Sequence, residues 1–189
     1  MCRTNKKGII MQVMGISGLP GSGKGLVSDM AVERGAIIVV MGDIIREEAK
    51  KRGESTKETA VNLRKEFGDD IVSELTIKKI KKLQESDADN VIIIDGIRSP
   101  HEVEMFKENF ENFIILSVFA NPNIRFERLK NRKREDDSQD YEGFKKRDDT
   151  ELGFGIGNVI SLSDKLIINE SDIESFQEEI NEFFKEINL

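Results

Sequence analysis

The chain has 189 residues, 38% hydrophobic and 34% charged, enough to enclose the core of one α/β domain. Its net charge of -7 argues against a general nucleic-acid binder, which needs a basic face to displace counterions from phosphates. Cys2 is the only cysteine and His101 the only histidine, so disulfide scaffolds, zinc fingers and Cys/His metal centres are excluded and a reducing, cytoplasmic setting is expected. The apolar runs are strand-sized, so no membrane span is expected. Met1 to Lys7 is polar and basic, and Gly8 to Ile16 continues into a strand without a cleavage-site pattern; a frayed start is expected rather than a signal peptide.

The first strand is expected over Val13–Ser17 and leads into Gly18-Leu19-Pro20-Gly21-Ser22-Gly23-Lys24-Gly25, with a helix over Gly23–Arg34. Strand, glycine loop and helix in that order form a P-loop. Its backbone N–H groups turn inward around phosphate oxygens, the helix adds its positive end, and Lys24 supplies a point charge to the β- and γ-phosphates. The usual Ser or Thr after the lysine is replaced by Gly25, with Leu26 next; the nearest hydroxyls are Ser22 and Ser28. A bound Mg²⁺ is therefore expected to rest on phosphates and water, with Asp95 as a partner through water.

The second strand, expected over Ala36–Met41, ends at Gly42-Asp43. Asp43 suits a helix N-cap or a substrate contact. Arg46 lies in the first helical turn, where a cation opposes the dipole; an acceptor phosphate or a neighbouring carboxylate would offset that. Helical patterns over Ile44–Lys51, Lys57–Phe67 and Asp70–Gln84 make residues 43–84 a helical insertion suited to holding an acceptor.

The third strand, Val91–Asp95, is a hydrophobic run ending in a carboxylate at the sheet edge where ligands of open α/β sheets bind. Gly96 stands where vigorous ATPases carry a water-positioning carboxylate, which points to transfer rather than hydrolysis. Arg98 offers a second fork to the acceptor, and His101 reads as a surface residue.

A helix over Glu102–Asn109 and a strand over Phe113–Phe119 precede a helix over Pro122–Lys133. Arg125, Arg128 and Arg132 recur along one side of that helix, and Phe126 and Leu129 supply a neighbouring apolar face. Arg128 and Arg132 are expected to face migrating phosphoryl charge, while Lys130, Lys133 and Arg134 belong to a solvated run that extends to Asp137. Residues 131–154 read as a short lid carrying Arg147 on its far side. Gly153-Phe-Gly-Ile-Gly157 reads as a hinge or a second phosphate-contacting loop. The last strand is expected over Lys165–Ile168 and the last helix over Asp172–Ile187. Near-continuous apolar strands alternating with helices imply right-handed crossovers in a three-layer α/β fold with a five-stranded parallel sheet.

GLPGSGKG at 18–25, GDIIR at 42–46, DGIR at 95–98, RFERLKNR at 125–132 and KRDD at 146–149 together resemble the adenylate kinase and nucleoside monophosphate kinase superfamily. VVMGDIIREEAKKRG, IIDGIRSPHEVEMF, ELGFGIGNVISLSD and LIINE are more specifically similar to an archaeal adenylate-kinase-like, dephospho-CoA-kinase-related family. The departures are Leu26 in place of a Thr, DGIR in place of the longer DG-x-PR form, and a short lid without a cysteine zinc site. The resemblance implies one kinase-like domain over residues 1–189 that binds ATP and Mg²⁺ at residues 18–25. Arg46 and Arg98 would grip the phosphate of a small acceptor such as a nucleoside monophosphate, and Arg128, Arg132 and Arg147 would close over the transferring group. Two alternatives are phosphorylation of a hydroxyl, as in dephospho-CoA kinases, with Asp43 as base, and a nucleotide-dependent switch or assembly factor. Neither a nucleic acid nor a membrane is an expected partner.

Overall fold

The computed structural model describes residues 13–86, 90–132 and 140–189. The expected frayed start and the solvated Lys133–Asp137 run lie outside these residues. Five strands form one parallel sheet: β1 (Val13–Ser17), β2 (Ile37–Val40), β3 (Ile92–Asp95), β4 (Ile114–Phe119) and β5 (Lys165–Ile168), in spatial order β2-β3-β1-β4-β5. The pleat sends alternate residues to opposite faces, and both faces are covered. Val13, Ile92, Ile94 and Ile115 face one core with Phe106, Phe110 and Phe113. Met14, Ile16, Ile93, Leu116 and Val118 face a second core with Phe176, Ile180, Phe183 and Phe184.

The helices are α1 (Lys24–Val32), α2 (Met41–Arg52), α3 (Thr56–Phe67), α4 (Ile71–Ser86), α5 (Pro100–Asn109), α6 (Pro122–Arg132), α7 (Tyr141–Gly153), α8 (Ile156–Ser161) and α9 (Ile173–Glu186). Helices α3 and α5 each begin with a full capping box, Ser55 with Glu58 and Ser99 with Glu102. Three helices, α2 to α4, fill the expected insertion.

One expectation changes and two others take definite form. Helix α2 starts at Met41 with Val40 at the N-cap, so Asp43 sits inside the first turn and is not the cap. The charged segment expected as a lid contains α7, capped by the Asp140 carboxylate on the Gly143 N–H at 2.8 Å. The glycine cluster is a helix junction in which Gly155, at φ 96, caps α8 and a Cβ there would lie 3.0 Å from Pro100 Cδ. That left-handed turn packs α8 against the start of α5. His101 lies at the surface as expected and donates Nε2–H to Asp70 at 2.9 Å, which holds its pKa above the usual value.

Candidate functional site

The carboxyl ends of β1, β2 and β3 open into a cleft of about 750 Å³ floored by the glycine loop. The loop is shaped by close backbone approach. Gly18, at φ 146, lies against the Val118 carbonyl, and Gly23, at φ 110, lies against the Asn169 amide and the Phe176 ring; a side chain at either position would collide. Helix α1 starts at Lys24, immediately after Gly23, so its unpaired N–H groups face the cleft. The Lys24 ammonium turns back to donate to the Gly18 carbonyl and, at 3.4 Å, to that of Leu19. The Ser22 and Ser28 hydroxyls are buried, and neither residue lines the cleft.

Two residues outside the expected set brace the loop. Arg125 is 2% exposed and donates from Nη1 and Nη2 to the two Asp148 carboxylate oxygens at 2.8 and 2.5 Å. Its Nε donates to the Ala120 carbonyl at 3.0 Å and Nη1 also donates to the Pro20 carbonyl at 3.2 Å, while the Phe144 ring stacks 5.1 Å away. One guanidinium thus ties α6, the end of β4, the glycine loop and α7 together. Asn169, just past β5, donates from Nδ2 to the Ser22 carbonyl at 2.8 Å and accepts from Arg128 Nη2 at 3.2 Å.

Six cationic side chains line the cleft: Lys24, Arg46, Arg98, Arg128, Arg132 and Arg147. Against them stand the carboxylates of Asp29, Asp95 and Glu151. Arg98 Nε lies 3.3 Å from Glu151 Oε2, and its guanidinium is 6.0 Å from the Phe154 ring centre. Burial pushes the Lys24 pKa down, opposed by the charges of Asp95 and Glu151. Burial also pushes the Asp95 pKa up, opposed by Lys24, by Arg98 and by the Gly96 N–H. Arg128 is lowered by burial, and one of its terminal nitrogens is enclosed without a hydrogen-bond partner.

All the cations expected from sequence therefore share one cavity, together with Gly18, Pro20, Gly21, Gly23, Gly25 and Asp95. Leu19 is turned into the core. Asp43 is not among the lining residues; its carboxylate accepts from Arg46 Nε at 2.7 Å, the intrahelical ion pair that offsets the unfavourable end of the dipole. Sequence alone does not place Arg125, Asn169 or Glu151 at the site. Only Arg125 left a signal, its helical spacing with Arg128 and Arg132, and that spacing does not tell an inward arginine from one facing a cleft.

A family model described as an AAA domain matches residues 17–145. A UPF0200 protein of Methanothermobacter thermautotrophicus is 47% identical over 177 residues, covering 94% of this chain and 91% of its own, and one of Hyperthermus butylicus is 43% identical over 169 residues, covering 87% and 88%. The chain belongs to the UPF0200 family. Among solved structures, the UPF0200 fold is similar to that of shikimate kinase from Bacteroides thetaiotaomicron. The TM-score is 0.61 at 12% identity, with 95% of this chain and 99% of that one covered. A Thermus thermophilus protein gives a TM-score of 0.64 at 14% identity, with the same coverages. At such identities the likeness concerns the fold, which is that of P-loop kinases. Among the described residues of this UPF0200 chain, no helix is long and apolar enough to cross a membrane.

Two predictions follow from the buried charges. Asp148→Ala leaves the Arg125 guanidinium enclosed without its counter-ion, so the unfolding free energy measured by urea titration should fall by about 3–5 kcal/mol. For Asp95, the folded carboxyl holds its proton to higher pH than the unfolded value of 3.8, so its ionised form costs stability at neutral pH. Asp95→Asn should therefore raise the melting temperature of the ligand-free protein at neutral pH. The gain should shrink as pH falls through the folded value and vanish below 3.8, where wild type is protonated in both states. A melting temperature unchanged or lowered at neutral pH would contradict this.

Proposed function

We propose that the chain is an ATP-dependent phosphotransferase whose acceptor is a small molecule bearing an anionic group such as a phosphate. The observation that carries this is the convergence of Lys24 and five arginines on one cleft above the glycine loop. Phosphoryl transfer asks little of the protein beyond positioning and charge neutralisation, and such a cation ring supplies both.

The loop N–H groups and the start of α1 would hold the donor phosphates. Lys24 would exchange its carbonyl partners for the β- and γ-phosphate oxygens. Arg128, Arg132 and Arg147 would neutralise charge on the migrating group. Arg46 and Arg98 would hold the acceptor's anion bidentately. The donor set also suits Mg²⁺ carried by the nucleotide. Asp95 faces the cleft beside Lys24, and no group of three or more ligating side chains among the described residues could hold a metal without the phosphates. When bound, that ion supplies charge neutralisation to the β- and γ-oxygens, and Asp95 would hold one of its waters.

Labelled ATP with Mg²⁺ and a panel of nucleoside monophosphates and dephospho-CoA provides the test. Wild type should give a labelled product, and Lys24→Met should slow its formation by about 10²-fold or more. Arg46→Ala and Arg98→Ala should raise the acceptor KM and leave ATP affinity unchanged. ATP binding with no labelled product from any acceptor would instead favour a nucleotide-dependent switch, and unchanged acceptor affinity in both arginine variants would remove the acceptor-side assignment.

A further inference from the structure

Transfer to a hydroxyl needs a carboxylate to take the proton, and the places where sequence puts one do not supply it. Gly96 follows Asp95 with no side chain, and Asp43 is 47% exposed, paired to Arg46 and outside the cleft lining. Asp95 is largely buried beside Lys24, where it can hold a metal-bound water. A different element provides the missing group. Glu151, on α7, lines the cleft with its side chain only 13% exposed, and its Oε2 lies 3.3 Å from Arg98 Nε. Its charge also bears on the Lys24 ammonium.

We propose that Glu151 is the general base of the transfer, and that the attacking atom of the acceptor is a hydroxyl oxygen. This rests on the phosphotransferase assignment above. Glu151 lines the same cleft as Lys24, the cation for the donor phosphates, and touches Arg98, the cation for the acceptor, so a nucleophile held at Arg98 approaches beside it. A phosphate oxygen as nucleophile already carries its negative charge and makes no use of a base there, because it has no proton to lose. A hydroxyl is neutral and has one. The placement is also held: Asp148 and Arg147 lie three and four residues before Glu151, on the same side of α7, and the buried Arg125–Asp148 pair fixes that side against the glycine loop.

In the step, the hydroxyl oxygen bonds to the γ-phosphorus of ATP while its proton passes to a Glu151 carboxylate oxygen. The bond from the γ-phosphorus to the β–γ bridging oxygen breaks, and its electron pair leaves with ADP. The products are ADP, a phosphate monoester and a protonated Glu151 that returns its proton to solvent. Arg46 then holds an anionic group elsewhere on the acceptor. Water is the smallest hydroxyl, so the same base supports slow hydrolysis of ATP when no acceptor is present.

Single-turnover reactions with γ-labelled ATP and Mg²⁺, with and without hydroxyl acceptors, test the assignment in wild type, Glu151→Gln, Glu151→Asp and Asp43→Asn. Glu151→Gln should slow release or transfer of the label by about 10²- to 10⁴-fold with ATP affinity unchanged, and should abolish the acid limb of the pH–rate profile. Glu151→Asp should recover part of the rate and restore that limb. A Glu151→Gln protein with the wild-type rate and acid limb would overturn the base assignment and leave the phosphotransferase assignment standing. So would a loss of rate confined to Asp43→Asn, or label transferred to monophosphate oxygens equally well by wild type and Glu151→Gln. Wild type that binds ATP and never releases or transfers the label would overturn both.

Discussion

A guanidinium sealed under the glycine loop organises the site. Removing an arginine and an aspartate from water costs several kcal/mol per ion, and Coulomb attraction repays that only with good geometry and satisfied donors. Arg125 meets those terms with a bidentate contact to Asp148, carbonyls from Ala120 and Pro20 on two further N–H directions, and the Phe144 ring on its face. A well-packed apolar cluster could stabilise the fold as much, so the benefit of the ion pair is positional. The next turns of α6 carry Arg128 and Arg132, and the turn of α7 containing Asp148 carries Arg147 and Glu151. Fixing one atom group relative to the glycine loop fixes all four side chains relative to the loop's N–H groups.

The cleft that results is poorly satisfied without a ligand. Burial disfavours the charged forms of Lys24 and Asp95 at once, and their mutual attraction compensates only in part. One Arg128 nitrogen is enclosed with no partner. Such a site is preorganised for an anion: the desolvation has been spent during folding, and a polyphosphate would complete contacts that the protein leaves open. Instability of this kind is common where activity and stability compete.

Much of the architecture was legible in sequence because each strand is a short run of Ile and Val between turn signals, and two-sided burial demands that composition. β1 and β5 have the expected bounds, and the three-helix insertion follows from three clean helical periods. The cations were legible because they sit at strand ends or recur at helical spacing. The rest depends on contacts distant in sequence. Helix α7 carries so much charge that its apolar face reduces to Tyr141 and Phe144, which pack on Phe126, and no period stands out. Asn169 sits in a segment whose strand was evident, but nothing local links it to Ser22, 147 residues earlier. Glu151 is one acidic residue among many until α7 is folded against Arg98.

In the proposed phosphotransferase, Arg125 makes the glycine loop and α7 one nucleotide-responsive unit. Amide hydrogen exchange with and without ATP·Mg²⁺ tests it most directly, because each segment reports separately. Binding should slow exchange at residues 18–25 and across α7, Tyr141–Gly153, together. Protection of the loop alone, with α7 exchanging as fast as before, would contradict it.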